Sequence, residues 1–140
     1  MTRMPAPKNA KSGSLDPIYD TLEKLLSTLA PPLEAFSRRI PGKRDLSIRI
    51  PKPVSIPPAY GGKPVQIDLA SIILQKGYVG FYFMPAYVDP SMRKKLAPAL
   101  LKTRKGKTCF HIQQLESAQI VNIEFALREG LKCYKAKAWL

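Results

Sequence analysis

Residues 65–84 read VQIDLASIILQKGYVGFYFM, and the fold turns on how this stretch is read. Val65, Ile67, Leu69, Ser71 and Ile73 alternate with Gln66, Asp68 and Ala70, the period of a strand with one wet face. Towards Leu74 both faces turn apolar, which predicts cover on both sides at that end. Gln75-Lys76-Gly77 is a short polar break ending in a residue that tolerates positive φ. It predicts a hairpin turn with a bulge. Tyr78 to Met84 resumes with β-branched and aromatic residues, which suit a pleated, half-buried surface. On that strand Val79, Phe81 and Phe83 face one way, and Tyr78, Tyr82 and Met84 the other. Pro85 has no amide for the ladder and ends it.

The flanks supply cover for this hairpin. Upstream, Leu46 to Ile50 alternates as LSIRI and predicts another strand. Five prolines between Pro51 and Pro64, with Gly61-Gly62, forbid a central strand there and predict an extended edge segment and a loop. Tyr60 in that loop reads as a cap over the core or as part of a pocket rim. Earlier, Asp16-Pro17 reads as an N-cap followed by proline at the first helical position. Ile18, Leu22, Leu25, Leu26 and Leu29 then form one apolar face at helical spacing. Pro31-Pro32 ends that helix, and Leu33 to Arg39 is expected to form a short turn or helix.

Downstream, Asp89-Pro90-Ser91 starts a short helix across Met92 to Leu101, interrupted or restarted near Pro98. Thr103 to Lys107 is a basic loop. KTCFHI at 107–112 alternates, with Cys109 and His111 on one face and Phe110 and Ile112 on the other. From about Glu116 a last helix aligns Ile120, Ile123, Leu127, Leu131 and Tyr134. Gly130 is expected to weaken it or end its regular part, and Lys132, Lys135 and Lys137 suit its negative C-terminal end. The order predicts an α+β fold: a small antiparallel sheet with helices packed on one face. Residues 15–140 form this single domain, behind a basic tail, 1–14, whose Pro, Lys, Ser and Gly predict disorder.

A chain of 140 residues is long enough for one ordinary core. It contains no apolar run of about 18 residues to span a membrane. The N-terminus lacks the apolar stretch of a secretory signal, so a cytoplasmic, reducing setting is expected, with Cys109 and Cys133 as thiols. Net charge is +13, which bears on anionic partners and steering and leaves the fold undetermined. Arg38, Arg39, Lys43, Arg44, Arg49 and Lys52 surround the single acid Asp45. Arg93, Lys94, Lys95, Lys102, Arg104, Lys105 and Lys107 lie in a stretch without an acid between Asp89 and Glu116.

Several residues invite a chemical reading. Gly106-Lys107-Thr108 has the end of a phosphate loop, but Leu101 stands where the first glycine belongs, and a strand follows instead of a helix. A plain anion site remains, built from Arg104, Lys105, Gly106, Lys107 and Thr108 with Arg93, Lys94 and Lys95. Its plain alternative is a solvated loop. Cys109 and His111, two apart on a strand face, form half a metal site or a thiolate–imidazole couple, although a structural zinc needs four ligands. Tyr78 and Tyr82 beside basic loops suit base stacking, as on the sheets of single-strand binders. No serine has a histidine and an acid to serve it, so the chain is expected not to be an enzyme.

The hairpin QKGYVGFYFMP, the following Asp89-Pro90, the block LLKTRKGKTCFHI and the closing helix to KAKAWL resemble the YdhG-like bacterial domain family. The resemblance covers roughly residues 16–140 and implies a two-layer fold. Most of that family has no assigned activity. One branch resembles frataxin and acts as an intracellular iron chaperone, which implies iron as a possible ligand. Such sites use clustered carboxylates, because hard cations favour oxygen. The residues placed to correspond are Asp16, Asp20 and Glu23; Lys24 beside them and the isolated Asp68 depart from the pattern. The expectation is a non-catalytic, cofactor-free binding domain for a small ligand or protein. The alternatives are a nucleic-acid or other polyanion binder and a frataxin-like iron carrier.

Overall fold

In the computed structural model of the protein, residues 15–37, 41–56 and 59–140 are described. The expectations for the tail 1–14, for Arg38 and Arg39, and for the Tyr60 side chain lie outside the described residues. The central hairpin is present as β3 (Asp68–Gln75) and β4 (Tyr78–Phe83). Its turn is two residues long, with Gly77 at φ +90°. The ladder resumes directly at Gln75 opposite Tyr78, so the bulge expected at this turn is not there. β1 (Glu34–Ser37) and β2 (Asp45–Arg49) precede the hairpin, and β5 (Cys109–Ile112) follows it. All five strands pair antiparallel in chain order, β1-β2-β3-β4-β5.

The helices are α1 (Asp16–Ser27), α2 (Pro85–Val88), α3 (Pro98–Leu101) and α4 (Ser117–Ala136), with a 3₁₀ turn at Pro90–Lys95. They lie on one face of the sheet, giving the expected α+β architecture. Against them the sheet presents Leu46, Ile48, Ala70, Ile72, Val79, Phe81, Phe83, Phe110 and Ile112, all essentially buried. The faces of β4 and β5 are those that alternation predicts.

On β3 the alternation changes phase. A bulge between Ile48 and Arg49 puts Ala70 opposite Ile48 but Asp68 opposite Arg49. One extra residue reverses the pleat. Ile67, bonded through its carbonyl to the Ile50 amide, and Ala70 are thereby both core residues. The uniform set Val65 to Ile73 is therefore wrong beyond Leu69: Ala70 and Ile72 face the helices, and Ser71 pairs with Tyr82 and Ser47 on the other side.

Three local expectations give way to tertiary contacts. The turn or helix expected from Leu33 onward is not formed over Glu34–Ser37, which is the exposed edge strand β1. Asp16 does not cap α1: Leu15 holds that position without a side-chain bond, and the Asp16 carboxylate goes to Arg44 at 2.9 Å. Gly130 neither ends nor interrupts α4, which continues to Ala136. A Cβ at Gly130 would stand 2.9 Å from Phe83 Cε1 and from Pro85 Cγ, so glycine here permits the close approach of α4 to the sheet. Asp89 does start the following turn, accepting from the Ser91 amide at 3.1 Å and hydroxyl at 2.7 Å.

Gly130→Ala decides between two opposed effects. Alanine favours a helix interior by about 1 kcal/mol, whereas overpacking a filled core costs about 1–3 kcal/mol. Phe83 and Pro85 are buried, so the clash is expected to win. A lower urea midpoint with unchanged slope is the expected result, and a raised midpoint would show slack between α4 and the hairpin.

Candidate functional site

Asp16, Asp20 and Glu23 do share one face of α1, but they converge on a guanidinium. Arg44 lies 2.9 Å from Asp16 Oδ1, 2.9 Å from Asp20 Oδ1 and 3.8 Å from Glu23 Oε1. Its guanidinium carbon sits 4.2 Å from the centroid of the Tyr19 ring. Burial, assisted by Glu23, pushes the Tyr19 hydroxyl up to about 12. The three carboxylates thus serve as counter-charge tying α1 to the start of β2. A cation entering between them must displace Arg44. Iron is therefore expected to leave the Tm of the protein unchanged, and a rise in Tm would show that a cation can displace Arg44 or binds elsewhere.

The face opposite the helices carries a row across all five strands: Phe36, Ser47, Ser71, Tyr82 and Cys109. Tyr78 and Tyr82 are both on this face and half-buried, as expected. Each already has a partner. Tyr78 stacks on His111 at 3.8 Å between centroids and 12° between planes. Tyr82 lies opposite Cys109 in the ladder and across Gly80, its Cε1 2.9 Å from where a Cβ would be. Burial raises the Tyr82 hydroxyl and the Cys109 thiol above their ordinary values. Burial disfavours the Cys109 thiolate and the imidazole is stacked on Tyr78, both of which count against a thiolate–imidazole couple. Among the described residues no group of three or more His, Cys, Asp or Glu side chains is placed to hold a metal.

The basic stretch 93–107 is divided by the fold. Arg93, Lys94 and Lys95 end the 3₁₀ turn, whereas Arg104 to Thr108 form the loop entering β5. That loop is tied down by its own backbone. Arg104 and Lys105 donate their amides to the Leu101 and Cys109 carbonyls, at 3.1 and 2.8 Å, and Thr108 accepts from the Phe83 amide at 2.8 Å. Arg104 Nη1 reaches back to the Gly106 carbonyl at 2.7 Å, and Lys107 Nζ stands 5.6 Å from the centroid of the Tyr87 ring. The Arg104 and Lys105 amides cannot also cradle an anion.

Pairing separates the cations into two groups. Arg44 and Arg49 face carboxylates of α1 and β1, and Lys95 and Lys132 share Glu129. Among the described residues, Arg93, Lys94, Lys102, Arg104, Lys105 and Lys107 have no carboxylate within ion-pair distance. Lys94, Lys102, Lys105 and Lys107 are exposed.

Sequence reasoning missed a cleft of about 460 Å³ between the Pro90–Lys95 turn and the last turns of α4. Its lining includes Asp89, Met92, Lys95, Glu129, Cys133 and Lys137. Part of it was readable, since Glu129, Lys132, Cys133 and Lys137 recur at helical spacing on one side of α4. The facing Asp89, Met92 and Lys95 arrive only through the tertiary fold. No described helix is long and apolar enough to cross a membrane. Comparison of the chain with protein families, with curated proteins and with solved structures finds no match.

Proposed function

We propose that this chain is a non-catalytic, YdhG-like, cytoplasmic binding domain, and that it binds a polyanion, with single-stranded nucleic acid as the form to test. The supporting observation is the concentration of cations without an acid among them: Arg93, Lys94, Lys102, Arg104, Lys105 and Lys107 follow one another between Asp89 and Glu116, and of the basic residues in that stretch only Lys95 meets a carboxylate among the described residues. Unneutralised lysines cost self-repulsion in the folded state, and phosphates relieve it while releasing counterions. Contact is mainly electrostatic: Tyr78 has one ring face covered by His111, leaving a single face for a base. The reading calls for no cofactor and no catalytic group.

The test is fluorescence-anisotropy titration of a labelled single-stranded oligonucleotide with the full chain. Binding at low salt that is insensitive to base sequence supports the reading. Strict dependence on one sequence would contradict it, because side-chain charges at a loop read phosphates and not bases.

A further inference from the structure

The cleft between the Pro90–Lys95 turn and α4 combines opposite charges in an unequal count. Three ammonium groups, Lys95, Lys132 and Lys137, line it with two carboxylates, Asp89 and Glu129. Both carboxylates have partners within the fold. Asp89 is held by the Ser91 amide and hydroxyl. Glu129 lies between Lys95 Nζ at 3.6 Å and Lys132 Nζ at 3.2 Å. Lys137 is the ammonium left over: among the described residues it has no carboxylate within ion-pair distance, and its Nζ stands 5.5 Å from the Trp139 ring centroid. The rest of the lining is Met92, which is fully buried, the half-buried Cys133 and the exposed Ala136. The cleft is thus a mixed surface on which several charges converge beside short apolar side chains, in a volume that admits a small molecule.

We infer that this cleft binds a small organic phosphate, its dianionic head between Lys137 and the Lys95–Lys132 pair and its apolar body beside Cys133 and Ala136. Glu129 then acts as a resident anion that the head displaces or shares. A dianion outcompetes a single carboxylate for two ammonium groups, and it also meets the unpaired Lys137. The site goes beyond the polyanion reading and stands or falls separately from it.

Cys133 lines the cleft and Cys109 lies on the opposite face of the sheet, so one chain holds both a reporter and a control. Phenyl phosphate serves as probe, with iodoacetamide as a neutral alkylating agent and mass spectrometry to read each thiol. At about ten times its Kd the probe should slow Cys133 alkylation about tenfold by mass action and leave Cys109 unchanged. Lys137→Ala should weaken the probe roughly tenfold, as loss of one charge-assisted hydrogen bond does. Glu129→Gln should tighten it, which a merely structural role for Glu129 would not do. Isothermal titration calorimetry on the same proteins measures binding without relying on thiol reactivity. Equal protection by sulfate at matched ionic strength, equal binding of inorganic phosphate, or absence of both protection and heat would overturn the proposal.

Discussion

Phe81→Ala should lower unfolding free energy by about 3–5 kcal/mol, the cost of removing a fully buried aromatic ring. Phe81 is entirely inaccessible, with ring centroids 6.0 Å from Phe83 and 5.8 Å from Phe110. Those three side chains hold the centre of the sheet against the helices. Removing the ring leaves a void in the buried core, and the neighbours forfeit its dispersion attraction. A domain of this size is stable by about 5–15 kcal/mol, and the variant therefore approaches the unfolding threshold. Urea denaturation followed by circular dichroism measures the effect. Tyr82→Ala, one residue along on the half-buried outer face, should cost distinctly less. Equal costs for the two would mean that the hairpin's covered face has been misidentified.

Neutralising Lys94, Lys105 and Lys107 together, each to Gln, should weaken oligonucleotide binding roughly a hundredfold at about 50 mM salt. It should also reduce the slope of log K against log salt by about one for each phosphate no longer neutralised. These three side chains are exposed, so their replacement should not unfold the chain. Arg44→Gln, which removes the same kind of charge from a site already filled by carboxylates, should leave affinity nearly unchanged. If it weakens binding as much as the triple change does, net charge alone governs association and no basic surface is distinguished. Arg104 is unsuited to this test because its guanidinium braces the loop through the Gly106 carbonyl.

The two faces of β4, the late strand and the long final helix were legible because each keeps its period, and the hairpin was legible from the polar break Gln75-Lys76-Gly77 between two apolar runs. What escaped the sequence depends on interactions between distant segments. The phase change on β3 comes from a bulge opposite β2, and no single-strand pattern encodes its partner's register. Glu34–Ser37 is a strand because β2 offers it a ladder, although EAFS lies among prolines and shows no strand period. Gly130 carries an ordinary helix-breaking signal, and only the approach of Phe83 and Pro85 gives it a packing role. The carboxylates of α1 were visible as a cluster, but Arg44, 28 and 24 residues away from Asp16 and Asp20, was not visible as their counter-charge. The basic run was legible as charge; which of its members remain unpaired was not.

The salt dependence of single-strand binding by the full chain tests the central claim most directly. Affinity should fall steeply between about 50 and about 200 mM salt, with log K linear in log salt at a slope of about −0.7 per phosphate contacted. Absence of binding at the lower salt, or an affinity indifferent to salt, would contradict the assignment of residues 93–107 as a polyanion-binding surface.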